Sequence, residues 1–93
     1  MEITGHIVEK LNDPTGIIVG DRFEFFLNIE VPEDDELYSE NGVLLKVIYA
    51  VEDHGSRIAL YQFIERATNE VLDFALEDEE EELVNEYCKQ HLE

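Results

Sequence analysis

Apolar and polar residues alternate along two segments in the first third of the chain. In 2–11, one side of a period-two pattern is apolar and comprises Ile3, Ile7 and Leu11. In 23–31 the alternation is clearest, and its odd-numbered set is Phe23, Phe25, Leu27, Ile29 and Val31. These patterns predict two strands, with the odd face of the second strand in the core and its even face mostly in solvent.

Two further apolar segments follow in the middle of the chain. Segments 43–51 and 57–66 are apolar on both sides of the period-two pattern, which predicts central strands covered on both faces. The tetrad 53–56 predicts a tight hairpin between them, with Gly55 at positive φ. A turn at Thr68 and Asn69 then leads to a short fifth strand over 70–75.

The hydrophobic period changes near the C-terminus. One helical stripe comprises Leu83, Val84, Tyr87, Cys88 and Leu92. Asp78 is the predicted N-cap, Glu81 completes a capping box, and the acidic run 79–82 occupies the first turn. The stripe predicts a helix packed on the sheet, with strands three and four as its floor.

The remaining segments read as turns and loops. Asp13 to Gly16 predicts a turn, and 17–19 either extends the second strand or forms a bulged edge. Pro32 ends that strand, 33–40 forms an acidic connection with one helical turn, and 41–42 is a turn. The expected fold class is α+β: a meander of about five antiparallel strands with one C-terminal amphipathic helix on a sheet face, in a single domain over 1–93.

Charge narrows the range of partners. The chain has 24 Asp and Glu residues against 6 Lys and Arg, so its formal net charge is −18. Such a field repels phosphate, which argues against direct binding to nucleic acid or to an anionic membrane. A basic protein surface or a cation is the favoured partner, and the alternative is that the charge only maintains solubility.

Other features set the expected location. The single cysteine, Cys88, cannot form an intramolecular disulfide. We expect no signal peptide in 1–10, and the longest apolar run, 43–51, is too short to span a bilayer. A cytoplasmic location is therefore expected.

Motifs for catalysis are missing from the sequence. The five glycines never take a phosphate-cradling spacing, and no serine lies in a nucleophile elbow. We expect no catalytic residues and no cofactor. An enzyme or small-ligand binder with an unrecognised site stays open as an alternative.

Metal ligands are also sparse. Cys88 and His91 are three residues apart on the predicted helix, but a structural zinc site needs four ligands. His6 lies in a strand and His54 in a hairpin, and nothing in the sequence draws them together. The acidic run 33–36 lacks the spacing of a calcium loop, so no metal site is expected.

The acidic connection is the candidate contact surface. The proposed partner-binding residues are Glu33, Asp34, Asp35, Glu36, Leu37 and Tyr38. An aromatic anchor ringed by charge is typical of interfaces, and the alternative is that Leu37 and Tyr38 turn inward to fix the loop.

Mimicry of the nucleic-acid backbone, as an inhibitor of a DNA-binding protein, is another alternative. Apolar strand surface left over by one helix would favour a homodimer or a docked partner.

Four segments carry a resemblance to a known family. They read VEKLNDPTG at 8–16, GDRFEFF at 20–26, ELYSE at 36–40 and VLDFAL at 71–76. Together they resemble a small family of uncharacterised acidic proteins from Bacillus-type Gram-positive bacteria. The resemblance implies a bacterial cytoplasmic origin, and it assigns no activity and no site residues.

Overall fold

Five strands in sequence order form one antiparallel sheet in the computed structural model, which describes residues 1–11 and 20–92. The strands are β1 (Glu2–Leu11), β2 (Asp21–Glu30), β3 (Val43–Glu52), β4 (Gly55–Glu65) and β5 (Val71–Leu72), and one helix follows, α1 (Asp78–Gln90). Each strand pairs with the next, so β3 lies in the middle. This confirms the expected α+β fold class. The predictions for 12–19 lie outside the described residues.

The helix covers the face formed by the odd-numbered residues of β2 and β3, and it also contacts β4, so its floor includes β2 in addition to the predicted strands three and four. The alternating residues of β2 are buried on that face, as the sequence predicts, and they are Phe23, Phe25, Leu27 and Ile29. From α1, Val84 and Cys88 are fully buried against them. Tyr87 and Leu92 are partly buried, whereas Leu83 remains 44% exposed at the rim. Among the described residues the buried core contains no polar or charged side chain.

The opposite face of the sheet has no covering element among the described helices and strands. β3 was predicted to be covered on both sides, but no helix or strand within 1–11 and 20–92 lies over its even-numbered residues. Leu44 and Ile48 are consequently only half-buried, and Leu60 of β4 is 52% exposed. The prediction of a doubly covered strand is therefore wrong for the described elements. Strand β3 is central in the sheet, but only the face with its odd-numbered residues is covered by the helix.

A bulge redirects the first strand. Ile3 pairs with Ile29 and Gly5 pairs with Asn28, so Thr4 is the extra residue. The extra residue moves the following side chains to the opposite face. Ile3 therefore shares the helix-covered face with His6 and Val8, while Ile7 lies on the open face and is 70% exposed. The single apolar side predicted for β1 is thus divided between two faces.

The connections follow the predicted turn chemistry with small shifts. Gly55 has φ +137° and closes the two-residue hairpin after Glu52, and Gly42 has φ +88° in the predicted turn. The fifth strand covers only Val71–Leu72 rather than 70–75. The helix begins at Asp78, and its N-cap is Glu77 rather than Asp78. These shifts change the ends of elements but not their order.

Candidate partner-binding cleft

Two acidic segments that are about forty positions apart in the sequence meet in one surface cleft. The cleft has a volume of about 280 Å³ and lies between the loop after β2 and the start of α1. Its acidic lining residues are Asp35, Glu36, Glu77 and Glu80. Its apolar lining residues are Leu37, Phe63, Phe74 and Ala75. We call this the acidic cleft.

Backbone turns hold the loop side of the acidic cleft. The amide of Asp35 donates to the carbonyl of Pro32 at 3.0 Å, and the amide of Tyr38 donates to the carbonyl of Asp35 at 3.0 Å. Oδ1 of Asp35 accepts a hydrogen bond from the amide of Leu37 at 2.9 Å, which is an Asx-type turn. The buried side chain of Leu37 anchors the loop in the core. Successive turns thus replace the helical turn predicted for 33–40.

A second set of bonds holds the helix side. The amide of Leu76 donates to the hydroxyl of Tyr61 at 2.9 Å, which fixes the chain just before α1. The amide of Glu77 then donates to Oε1 of Glu80 at 3.0 Å, so Glu80 satisfies a free donor at the helix start. Phe74 is 39% exposed and presents an aromatic ring in the acidic cleft.

Within the described part of the chain, no basic side chain forms an ion pair with the carboxylates of the acidic cleft. Among residues 1–11 and 20–92, the four ion pairs all use Asp21, Glu24 or Glu52, which lie elsewhere on the sheet. The positive end of the α1 dipole partly offsets the charge of Glu77 and Glu80. The cleft therefore combines uncompensated negative charge with an exposed aromatic ring.

The six residues proposed from the sequence do not form one site. Asp35, Glu36 and Leu37 line the acidic cleft. Glu33 and Tyr38 line a separate groove of about 410 Å³ on the other side of the loop. Asp34 is exposed and lines neither. Leu37 is buried in the core, whereas Tyr38 is 39% exposed and lies at the surface.

Five cleft residues were missing from the sequence-based proposal, namely Phe63, Phe74, Ala75, Glu77 and Glu80. Phe63 was assigned to the fourth strand, and Phe74 and Ala75 were assigned to the fifth. Glu80 was considered only as part of the helix start, and Glu77 had no assigned role. The available signal was an aromatic residue three positions before an acidic helix start. That signal does not reveal the distance to the 33–36 run, because the distance depends on how the meander folds.

The structure also brings two histidines together that the sequence leaves apart. The ring centroids of His6 and His91 are 4.6 Å apart, and Tyr87 stacks on His91 at 4.1 Å. Nδ1 of His6 is 2.9 Å from the hydroxyl of Tyr87, and Nδ1 of His91 donates to the carbonyl of Tyr87 at 2.7 Å. Nothing in the sequence predicts this contact between His6 and the end of α1. The bulge at Thr4 places His6 on the helix-covered face, and the end of the helix lies close to it.

This histidine cluster lacks the further ligands of a zinc site. Within the described residues no group of three or more His, Cys, Asp and Glu side chains is placed to hold a metal ion. Cys88 is fully buried in the core, and burial raises the pKa of its thiol to about 12. A thiol with that pKa stays protonated near neutral pH, so it is a poor metal ligand and a poor nucleophile.

Comparison with protein families gives a match that runs from residue 1 to residue 93. The matching family is described as a family of unknown function, DUF6509. The chain belongs to this family. No curated protein and no solved structure matches the chain. Membership in DUF6509 confirms the resemblance to an uncharacterised family, and the bacterial source stays a prediction. Within the described part of this DUF6509 chain, no helix has the length and apolar character needed to cross a bilayer.

Proposed function

We propose that this protein is a small acidic interaction domain that binds a basic segment of a partner protein in the acidic cleft. The observation that supports this most directly is the convergence of Asp35, Glu36, Glu77 and Glu80 around the exposed ring of Phe74. No ion pair within the described residues neutralises these carboxylates. The partner supplies the missing positive charge.

The chemistry of the cleft fits a lysine or arginine side chain beside an apolar residue. The long aliphatic stem of such a side chain packs on apolar surface while its charged head stays near polar groups. Phe74 offers an aromatic face for the stem or for a cation–π contact, and the four carboxylates surround the head group. Arginine has the additional advantage of paired donors that match a carboxylate.

The net charge of −18 acts at longer range. A strong field of one sign accelerates encounter with an oppositely charged partner, and salt screens this acceleration. Binding in the acidic cleft should therefore weaken as ionic strength rises, mainly through a slower association rate. We place this interaction in a bacterial cytoplasm, which is consistent with the family resemblance and with a single cysteine that is buried as a thiol.

Selection from a random peptide library tests the proposed partner class. Peptides that bind the purified protein should be enriched in Lys and Arg next to an aliphatic or aromatic residue. Their affinity, measured by calorimetry, should fall when NaCl is raised from about 50 mM to about 300 mM, because the Debye length falls below about 10 Å. Enrichment of peptides without basic residues, or affinity that does not depend on salt, would overturn the proposal.

A matched pair of variants tests the location. The double variant Glu36→Gln/Phe74→Ala removes one charge and one exposed apolar side chain from the acidic cleft. The control Glu82→Gln/Leu83→Ala makes the same kind of change on α1 at residues that do not line the cleft. The first variant should lower peptide affinity at least roughly tenfold, whereas the control should change it little. Equal losses of peptide affinity in both variants would show that binding depends only on the overall electrostatic field of the protein.

A further inference from the structure

The open face of the sheet differs from the rest of the surface in both apolar content and charge. Its side chains come from alternate residues of β1 to β4, and one residue of β5 adds to them. The apolar members are Ile7, Leu11, Phe26, Leu44, Ile48, Leu60, Ile64 and Val71. Four of them are more than one-third exposed, namely Ile7, Leu11, Leu60 and Val71. We call this surface the open face.

Most of the basic residues in the chain lie on the open face. Of the six Lys and Arg residues, Arg22, Lys46 and Arg57 belong to its strands, and Arg66 reaches across to donate to Oδ1 of Asn28 at 3.0 Å. Glu9, Glu24 and Glu52 lie beside them, with Glu2 and Glu30 at one corner. Positive and negative charges are therefore nearly balanced on this face, although the whole chain has a net charge of −18.

Five of the charged residues on the open face also form ion pairs within the chain. Lys46 lies 3.7 Å from Glu24, and Glu52 lies 3.6 Å from Arg22 and 3.4 Å from Arg57. A charged group that already has a partner is less costly to cover than an isolated one, since burial leaves no uncompensated charge. The ion-paired part of the open face can consequently be covered by another surface without new neutralising groups.

These observations together identify the occupant that fits best. We propose that the open face is a self-association surface, on which a second copy of this chain packs sheet to sheet in a two-fold dimer. Two chains with a net charge of −18 repel each other across most relative orientations. Contact through this nearly neutral face keeps the excess carboxylates of both copies, including those of the acidic cleft, on the outside of the pair.

The dimensions of the face agree with this assignment. Four strands of about ten residues, each rising about 3.3 Å per residue and spaced about 4.8 Å apart, give a flat footprint of about 600 Å². Side chains add accessible area to this footprint, and a standard interface buries about 800 Å² per partner. Sheets pack face to face about 10 Å apart, so the half-buried Phe26, Leu44 and Ile48 would complete a second apolar layer. The edge of the sheet offers less, because β5 has only two residues and β1 has a bulge.

Sedimentation equilibrium of the purified chain tests the proposal. The protein should form dimers between micromolar and about millimolar concentration, a range typical of moderate association free energies. The dimer should become tighter as NaCl is raised, because salt screens the repulsion between two acidic chains while the apolar contact persists. This salt dependence has the opposite sign to that of basic-peptide binding, so the two proposals can fail separately.

Two matched variants locate the interface. Leu60→Glu places a charge on the open face at an exposed position, and Leu83→Glu makes the same change at an exposed position of α1. Because a two-fold interface contains each residue twice, Leu60→Glu should weaken dimerisation at least roughly 30-fold, whereas Leu83→Glu should weaken it little. Circular dichroism and thermal unfolding should show that both variants remain folded. A wild-type chain that is monomeric near millimolar concentration at every salt level, or equal effects of the two variants, would overturn the proposal.

Discussion

Tyr49 is the residue that joins the sheet to the helix most directly. It is the largest fully buried side chain in the described part of the chain, and its hydroxyl lies between Ser56 on β4 and Asn85 on α1. Both oxygen atoms lie 2.9 Å from it, so the hydroxyl can donate to Oδ1 of Asn85 and accept from Ser56. The ring of Tyr49 is thus buried in the core, while its hydroxyl connects β4 to α1 by hydrogen bonds.

Removing that hydroxyl should measurably destabilise the domain. Tyr49→Phe keeps the ring but leaves the two partners without their bond, so we expect a loss of about 1 to 2 kcal/mol in the free energy of unfolding. Urea denaturation followed by circular dichroism measures the loss. Tyr38→Phe is the control, because Tyr38 is exposed and should change stability by less than about 0.5 kcal/mol. A Tyr49→Phe protein as stable as the wild type would show that water replaces the lost contacts.

Single residues show where sequence reasoning succeeds and where it ends. The burial of Phe23, Phe25 and Leu27 followed from period-two alternation alone, because the pleat of a strand fixes which side chains share a face. The contact between His6 and His91 could not be predicted in that way. It depends on the bulge at Thr4, which sets the face of His6, and on where α1 ends above β1.

At the scale of elements, Glu65 organises the connection between β4 and β5. Its Oε2 accepts hydrogen bonds from the hydroxyl of Thr68 at 2.7 Å and from the amide of Thr68 at 2.9 Å. Its Oε1 accepts from the amide of Ala67 at 3.1 Å and from the hydroxyl of Ser39 at 3.3 Å. The hydrogen bond from the Thr68 side chain is the main reason why the pKa of Glu65 lies below its ordinary value. One carboxylate therefore fixes its own turn and also bonds to the loop after β2.

The lowered pKa gives a pH-dependent prediction for this connection. The ionised form of Glu65 is favoured by folding, so its contribution is present above the pKa of the unfolded chain and is lost as pH falls through the pKa of the folded chain. Glu65→Gln should therefore lower the melting temperature near neutral pH. The difference from the wild type should shrink in strongly acidic solution, where Glu65 itself is protonated.

Thermal unfolding at about pH 7 and about pH 3, on either side of the ordinary carboxyl pKa range, measures this effect. Glu70→Gln is the control, because Glu70 is an exposed carboxylate in the same connection and its change should leave the melting temperature nearly constant. A deficit for Glu65→Gln that is equally large at both pH values would contradict the role of the ionised carboxylate.

The order of the elements could be predicted from the sequence, but their ends and mutual distances could not. β1, β3, the 53–56 hairpin and α1 were recognised because period and turn chemistry are local properties. The fifth strand was placed over 70–75 because apolar residues continue to Leu76, yet pairing with β4 ends at Leu72. The acidic cleft was missed as a unit because it joins the 33–36 run to Glu77 and Glu80 through tertiary structure. No periodicity within either segment contains that information.

At the scale of the whole molecule, charge is distributed unevenly over the surface. The open face carries most of the Lys and Arg residues, whereas the loop after β2 and the start of α1 carry carboxylates without basic partners among the described residues. The acidic cleft and the open face lie on opposite sides of the sheet. A dimer through the open face would therefore leave both acidic clefts accessible to a basic partner.

The uneven charge also determines how salt should affect stability. Folding brings carboxylates together at the acidic cleft and at a second groove of about 540 Å³ that contains Asp78, Glu81 and Glu82. Unfolding separates these like charges, so their repulsion is a cost of the folded state. Screening with NaCl should reduce that cost, and the melting temperature should rise by several degrees between about 20 mM and about 200 mM NaCl, as the Debye length falls from above 20 Å to below 10 Å.

Two controls separate screening from other effects of salt. Sodium sulfate at equal ionic strength should give the same rise if screening dominates, whereas a larger rise would indicate exclusion of sulfate from the surface. Melting at two protein concentrations detects a contribution from dimerisation, because the melting temperature of an associating protein depends on its concentration. The double variant Glu81→Gln/Glu82→Gln should melt higher than the wild type at low salt and should respond less to NaCl. A melting temperature that falls with added NaCl would mean that attractive ion pairs such as Lys46 with Glu24 outweigh the repulsion among the carboxylates.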